Sequence, residues 1–148
     1  MTQIIVFTNP EDLSRVSILT PTGESSIDEL IHLHIDTSKP YKIMDEHELP
    51  SDDYMYFEAW KLIENDIQVD IEKAKDIHRK NLRQQRIERF TELDIQFMRA
   101  IEENDIVAQQ EIAAKKQKLR NIPSHTAISN ATNTIQLREL TLDFLLTH

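Results

Sequence analysis

The sequence predicts an α+β fold, with a small mixed sheet-plus-helix N-terminal module, then a long antiparallel helical hairpin and a C-terminal helix. Two observations lead to this prediction. Short β-branched runs bounded by turn-forming residues fill the first 70 residues, which is typical of short strands. Residues 51–122 contain neither proline nor glycine, so nothing there interrupts a long helix.

The distribution of charge marks where the module ends. Residues 1–70 carry 4 basic and 15 acidic side chains, whereas residues 71–120 carry 12 basic and 9 acidic ones. Such an abrupt change of composition indicates a boundary near residue 70. Alternatively, the acidic and the basic side chains could both simply face solvent. The predicted parts are therefore residues 1–69, 70–123 and 124–148.

Two runs near the N-terminus, Gln3–Thr8 and Arg15–Leu19, are rich in β-branched residues and predict a β-hairpin. Ser26 is suited to cap a short helix that follows. Further short strands are predicted at residues 41–44 and 67–69. The aromatic segment 54–63 could be helix or strand, and its large rings should supply most of the packing in this module.

Beyond residue 70 the pattern becomes helical. Asp70 is a suitable N-cap for the first helix, a turn is expected at residues 102–105, and Asp105 should cap a return helix that Pro123 stops. One apolar stripe recurs at helical spacing in the first helix: Phe90, Leu93, Phe97, Ala100 and Ile101. A helix this polar either projects into solvent or packs in a bundle, so we predict a homo-oligomer that forms through it.

The C-terminal part begins polar and ends apolar. Residues 124–133 contain turn formers without periodicity and predict a linker. The segment that starts at Thr134 predicts a last helix with seven large apolar residues, which need a surface to cover them. This helix could dock on its own chain or on another protein, and the sequence leaves both possibilities open.

Composition and motifs argue against most kinds of chemistry. Cysteine is absent and Gly23 is the single glycine, so thiolate sites and glycine-rich phosphate loops are excluded. His32 and His34 diverge on a helix, and no spacing offers three or four converging metal ligands. The net charge of −9 argues against nucleic-acid binding, and no apolar run suits a membrane span. We therefore expect a non-enzymatic protein without a cofactor or metal.

The hairpin resembles a known family. An arginine-rich helix that leads to Leu93-Asp94, and a second helix that ends in Gln117-Lys118-Leu119-Arg120-Asn121-Ile122-Pro123, are similar to bacteriophage tail assembly chaperones. The second helix of that family ends in a Gln-x-Leu-Arg-Asp-Ile-Pro type of signature, and Asn121 stands here in place of the acid. The resemblance lies mainly within residues 71–123.

The resemblance implies a non-enzymatic accessory protein of tail or tail-fibre assembly that binds a phage tail or tail-fibre protein. It would act in the host cytoplasm during assembly or remain in the virion. The alternative is a structural virion component, such as an oligomeric tail or fibre adaptor. The residues predicted to bind the partner come from the hairpin stripe and the terminal helix: Phe90, Leu93, Phe97, Ile101, Leu137, Leu140 and Phe144.

Overall fold

A computed structural model describes residues 2–148 and confirms the α+β fold. Its chain divides into two compact units, one that ends at Ala74 and one that runs from Lys75 to His148. We call them the N-terminal and C-terminal units. The contact boundary therefore lies a few residues beyond the change in composition.

The N-terminal unit contains a three-stranded antiparallel sheet. Its strands are β1 (Gln3–Thr8), β2 (Val16–Leu19) and β3 (Tyr41–Asp45), in the order β2-β1-β3. The helix α1 (Ile27–His34) precedes β3, and the Ser26 side chain accepts a hydrogen bond from the Glu29 N–H, as the sequence predicted. The predicted hairpin of β1 and β2 is confirmed.

The ambiguous aromatic segment contains both kinds of structure. Two short 3₁₀ helices, separated by a kink at Tyr56, cover Ser51–Ala59. They are followed by β4 (Trp60–Ile63) and β5 (Asp66–Val69), which pair as a second, antiparallel hairpin. Glu64 and Asn65 both have positive φ, of 52° and 66°, because a two-residue hairpin turn requires it.

Trp60 lies at the centre of the N-terminal core. It is fully buried, and its indole N–H donates a hydrogen bond to the Asp53 carbonyl at 3.1 Å. The ring of Phe57 packs edge-on against it at 5.1 Å between centroids. The buried residues packed with Trp60 come from the first three strands and the loop after them: Ile4, Val6, Val16, Met44 and Leu49.

Two long helices form most of the C-terminal unit. The helix α2 covers Ile71–Glu102 and begins after Asp70, whose carboxylate accepts hydrogen bonds from the N–H groups of Glu72 and Lys73. The helix α3 (Ile106–Asn121) returns antiparallel to it. The Asp105 side chain caps α3 as predicted, accepting a hydrogen bond from the Ala108 N–H.

The end of the chain differs from the prediction. Part of the expected linker is the helix α4 (Thr126–Asn130), and within it Ile128 is completely buried, so this segment is packed rather than free. The expected single terminal helix is two short ones, α5 (Thr134–Glu139) and α6 (Leu142–Thr147). The break occurs because Thr141 accepts a hydrogen bond from the Phe144 N–H and so starts a new helix.

Candidate protein-binding surface

The first half of α2 is covered by the C-terminal segment of the same unit. The Lys75 ammonium donates a hydrogen bond to the Ser129 carbonyl at 2.8 Å, and His78 Nε2 lies 2.8 Å from the Leu140 carbonyl. Because a carbonyl oxygen only accepts, Nε2 carries the proton in this pair. Both side chains are buried, with exposed fractions of 5% and 7%. The terminal segment therefore docks on the hairpin of its own chain.

The environment of His78 favours the neutral imidazole. Burial lowers the pKa of His78 below its ordinary value, and the neighbouring Arg79 charge lowers it further, while the hydrogen bond to Leu140 opposes both effects. A neutral ring at this position needs no counter-charge. The hydrogen bond from this ring to the Leu140 carbonyl connects α2 to the residues between α5 and α6.

Three residues of the predicted stripe face α3 and are half-buried. The Lys116 ammonium lies 5.6 Å from the centroid of the Phe97 ring and also pairs with Asp94. The Arg120 guanidinium lies 5.9 Å from the centroid of the Phe90 ring. Phe90, Leu93 and Phe97 thus lie largely within the hairpin. Cations cover the two rings where the sequence predicted a partner protein.

The predicted partner-binding residues of the terminal segment also differ in how far they are exposed. Leu137 is fully buried and Leu140 is 8% exposed, so both belong to the core of the C-terminal unit. Phe144 is 39% exposed, and its ring stacks on that of His148 at 4.0 Å. Of the seven residues predicted to bind a partner, only Ile101 and Phe144 have large exposed fractions.

A different set of apolar residues reaches solvent on α2. Ile87, Ile95, Met98 and Ile101 are 55%, 51%, 59% and 46% exposed, and we call them the outer stripe. At 100° per residue they fall within an arc of about 120° on the helix. The helical spacing of this outer stripe is visible in the sequence, because Ile87, Ile95 and Met98 share one face of the helix. It was missed because the stripe that includes Phe90 and Phe97 has the larger side chains.

Exposed apolar residues continue where α3 begins. Ile106 and Val107 are 59% and 64% exposed and follow directly on the turn that ends the hairpin. Asn104 has a positive φ of 55°, and Asp105 donates its N–H to the Ala100 carbonyl, so the turn is closed by local hydrogen bonds. The end of the hairpin is therefore a defined structure with an apolar surface.

A groove of about 410 Å³ lies within the C-terminal unit, and we call it the basic groove. Its apolar lining consists of Leu93, Leu119 and Leu146. Its charged and polar lining contains three cations and one carboxylate: Arg89, Lys115, Lys118, Glu92 and Gln96. Arg89 is paired with Asp143 at 2.8 Å. Among the described residues, Lys115 and Lys118 have no ion pair.

Residues 2–148 lack both a metal-binding cluster and a membrane-spanning helix. No group of three or more His, Asp or Glu side chains in this range is placed to hold a metal ion. His32 and His34 are both exposed on α1. None of the helices in the same range combines the length and hydrophobicity needed to cross a bilayer.

No protein-family model, curated protein or solved structure matches the chain. A functional conclusion therefore rests on the surface of the protein and on the sequence resemblance of the hairpin. That surface consists of the outer stripe with the adjoining end of the hairpin, and of the basic groove.

Proposed function

We propose that this protein is a non-enzymatic accessory protein of bacteriophage tail or tail-fibre assembly, and that it binds a tail or tail-fibre protein through the outer stripe. The phage context rests on the similarity of residues 71–123 to tail assembly chaperones. The mode of action rests on the helical hairpin. Its site of action would be the host cytoplasm during assembly.

The signature at the end of α3 supports the fold of the hairpin rather than the contact with a partner. Leu119 and Ile122 are each 1% exposed, and Pro123 is buried beside them. The Arg86 guanidinium donates hydrogen bonds to the carbonyls of Leu119 and Arg120, at 3.3 and 3.0 Å, in the last turn of α3, where carbonyls have fewer partners within the helix. The Leu119 carbonyl also accepts the Ile122 N–H. The residues that carry the resemblance therefore stabilise the end of the hairpin.

The single observation that carries the binding role is the exposure of the outer stripe. Four large apolar side chains share one face of a helix whose composition is otherwise strongly charged. Thr91 and Asp94 lie between these four side chains on the same face, so the stripe combines apolar and polar surface. Exposed apolar patches with polar residues around them mark sites of protein–protein interaction. The amphipathic helix of a partner, or an apolar patch on it, would cover such a stripe.

Substitution of one stripe residue tests this role. Met98→Asp places a charge in the centre of the stripe, where a partner would have to bury it, and should weaken tail-protein binding by about 2 kcal/mol or more. Gln85→Asp is the matched control, since it adds the same charge to an exposed position on another face of α2. The measurement is binding of each purified variant to the tail and tail-fibre proteins encoded with it.

Two results would overturn this proposal. One is equal binding by the Met98→Asp and Gln85→Asp variants, and the other is the absence of binding by the unsubstituted protein. Mass spectrometry of purified virions adds a test of the role in assembly. An accessory protein should be absent or substoichiometric, whereas a fixed symmetric ratio to the other tail proteins would identify a structural virion component.

A further inference from the structure

We propose that this protein associates head to tail with a second copy of itself, and that the acidic 3₁₀ segment of one copy occupies the basic groove of the next. This self-association uses surfaces separate from the outer stripe. It is independent of whether the outer stripe binds a tail protein.

The basic groove has the composition of a protein-binding site. Its floor is apolar, formed by Leu93, Leu119 and Leu146, and its edge carries cations. Lys115 and Lys118 are exposed and have no carboxylate partner among the described residues. A segment that fits this groove would combine apolar side chains with negative charge, because desolvated apolar contacts provide affinity and charges provide specificity.

The N-terminal unit presents such a segment. In the 3₁₀ segment Ser51–Ala59, before its kink at Tyr56, Tyr54 and Met55 are 48% and 53% exposed, and Asp52 beside them is also exposed. We call these three residues the acidic knob. The inner side of the Tyr54 ring rests on Trp60, with 5.3 Å between centroids, so the knob is supported by the core. The preceding residues add the acids Glu46 and Glu48.

The charge of the two units makes a second copy the favoured occupant. The unit up to Ala74 contains 5 basic and 16 acidic residues, whereas the unit from Lys75 onward contains 12 basic and 10 acidic ones. Two copies joined knob to knob or groove to groove would place like charges together. Joining knob to groove places opposite charges together and lowers the repulsion of a chain with a net charge of −9.

A contact between two different surfaces is heterologous. When two copies join in this way, one copy still has an unused knob and the other an unused groove. Association therefore continues until a ring closes or a filament forms. A symmetric dimer through the long helix would stop at two copies. The two modes are distinguishable by mass and by the effect of mixing variants.

The test measures the mass of the full-length protein by sedimentation or light scattering at increasing concentration, in low and in high salt. Species larger than the monomer should form in low salt and dissociate in high salt, because the attraction is between exposed charges. The double variant Lys115→Glu/Lys118→Glu and the single variant Asp52→Lys should each weaken association, by about tenfold per reversed charge.

Matched controls reverse charges away from the two surfaces. Lys80→Glu/Arg83→Glu lies on α2 outside the groove, and Glu24→Lys lies in the N-terminal unit outside the knob; both should associate normally. A circular-dichroism spectrum and a thermal melt of each variant show whether it is folded. For a variant that fails to fold, Lys118→Gln or Asp52→Asn takes its place.

Mixing provides the decisive readout. The groove variant keeps an intact knob and the knob variant keeps an intact groove, so the mixture should associate more strongly than either variant alone. Three results would overturn the proposal: a strict monomer at every concentration in low salt, association that salt does not weaken, or variants that stay dissociated after mixing.

Discussion

The two halves of the helix α2 within the C-terminal unit differ in what covers them. From Lys75 to Leu82 the helix carries polar side chains that are buried, with Lys75 and His78 bonded to carbonyls of the terminal segment. From Ile87 to Ile101 it carries apolar side chains that are exposed. The buried polar side chains thus lie in the first half of the helix and the exposed large apolar ones in the second, while Leu82 and Ala100 are buried in the two halves. The first half is covered within its own unit, whereas the outer stripe of the second half is exposed.

The largest expected effect comes from truncating a covered residue of the first half. Leu82 is 1% exposed, so Leu82→Ala leaves a cavity and should lower the free energy of unfolding by about 2–5 kcal/mol. Ile87→Ala removes an exposed side chain, 55% accessible, and should change the free energy by less than about 0.5 kcal/mol. Denaturant unfolding of both variants measures the difference. Equal losses would show that the outer stripe is covered.

The terminal segment provides a second matched pair within one short helix. Leu137 is fully buried in α5, while Ile135 is 61% exposed. Leu137→Ala should cost about 2–3 kcal/mol, toward the lower part of the usual range, because short helices can move to fill the cavity. Ile135→Ala should be nearly neutral. A stable Leu137→Ala variant would mean that this segment waits for a partner, as the sequence allowed.

A smaller effect is expected at the turn that presents the end of the hairpin. Asp105→Ala removes the side-chain acceptor that caps α3 and should cost about 1 kcal/mol. Asp105→Asn keeps an acceptor and should recover most of that stability. Thermal melts of the two variants check this. An Asn variant as unstable as the Ala variant would show that the carboxylate charge matters more than its hydrogen bond.

The smallest expected effect is a pH dependence in the covered half. Since burial lowers the pKa of His78 in the folded protein, the unfolded chain binds the proton more readily. The stabilisation by neutral His78 is therefore present above the ordinary histidine pKa and decreases as pH falls through that value. Unfolding free energies measured from about pH 7 to about pH 5 should show this slope. His78→Gln should flatten it, whereas His47→Gln, at an exposed position, should not.

Much of the fold was predictable because local signals and packing agree there. The predictions were correct for one strand and three helix caps: Gln3–Thr8, Ser26, Asp70 and Asp105. They were correct because strand composition and capping act over a few residues. The break at Thr141 was missed because its hydroxyl could equally have faced solvent on a continuous helix.

The exposure of the residues proposed to bind a partner was harder to predict, for a physical reason. Phe90 and Phe97 form a typical partner-binding stripe, but their rings are covered by Arg120 and Lys116 of the return helix. The contacts of Phe90 with Arg120 and of Phe97 with Lys116 are difficult to predict from one sequence, because these cations lie about thirty and about twenty residues further along the chain. Arg86, four residues from Phe90 on α2, also contacts the Phe90 ring. The outer stripe, with smaller side chains, is what remains exposed.

The most direct test of this account is photo-cross-linking from the outer stripe in cells that produce the protein together with its phage. A photoreactive side chain is placed at position 98 and, as the control, at position 85 of α2. We predict a cross-link to a tail or tail-fibre protein from position 98 and none from position 85. No cross-link from position 98, the same cross-link from both positions, or a cross-link only to a protein unrelated to the tail would contradict it.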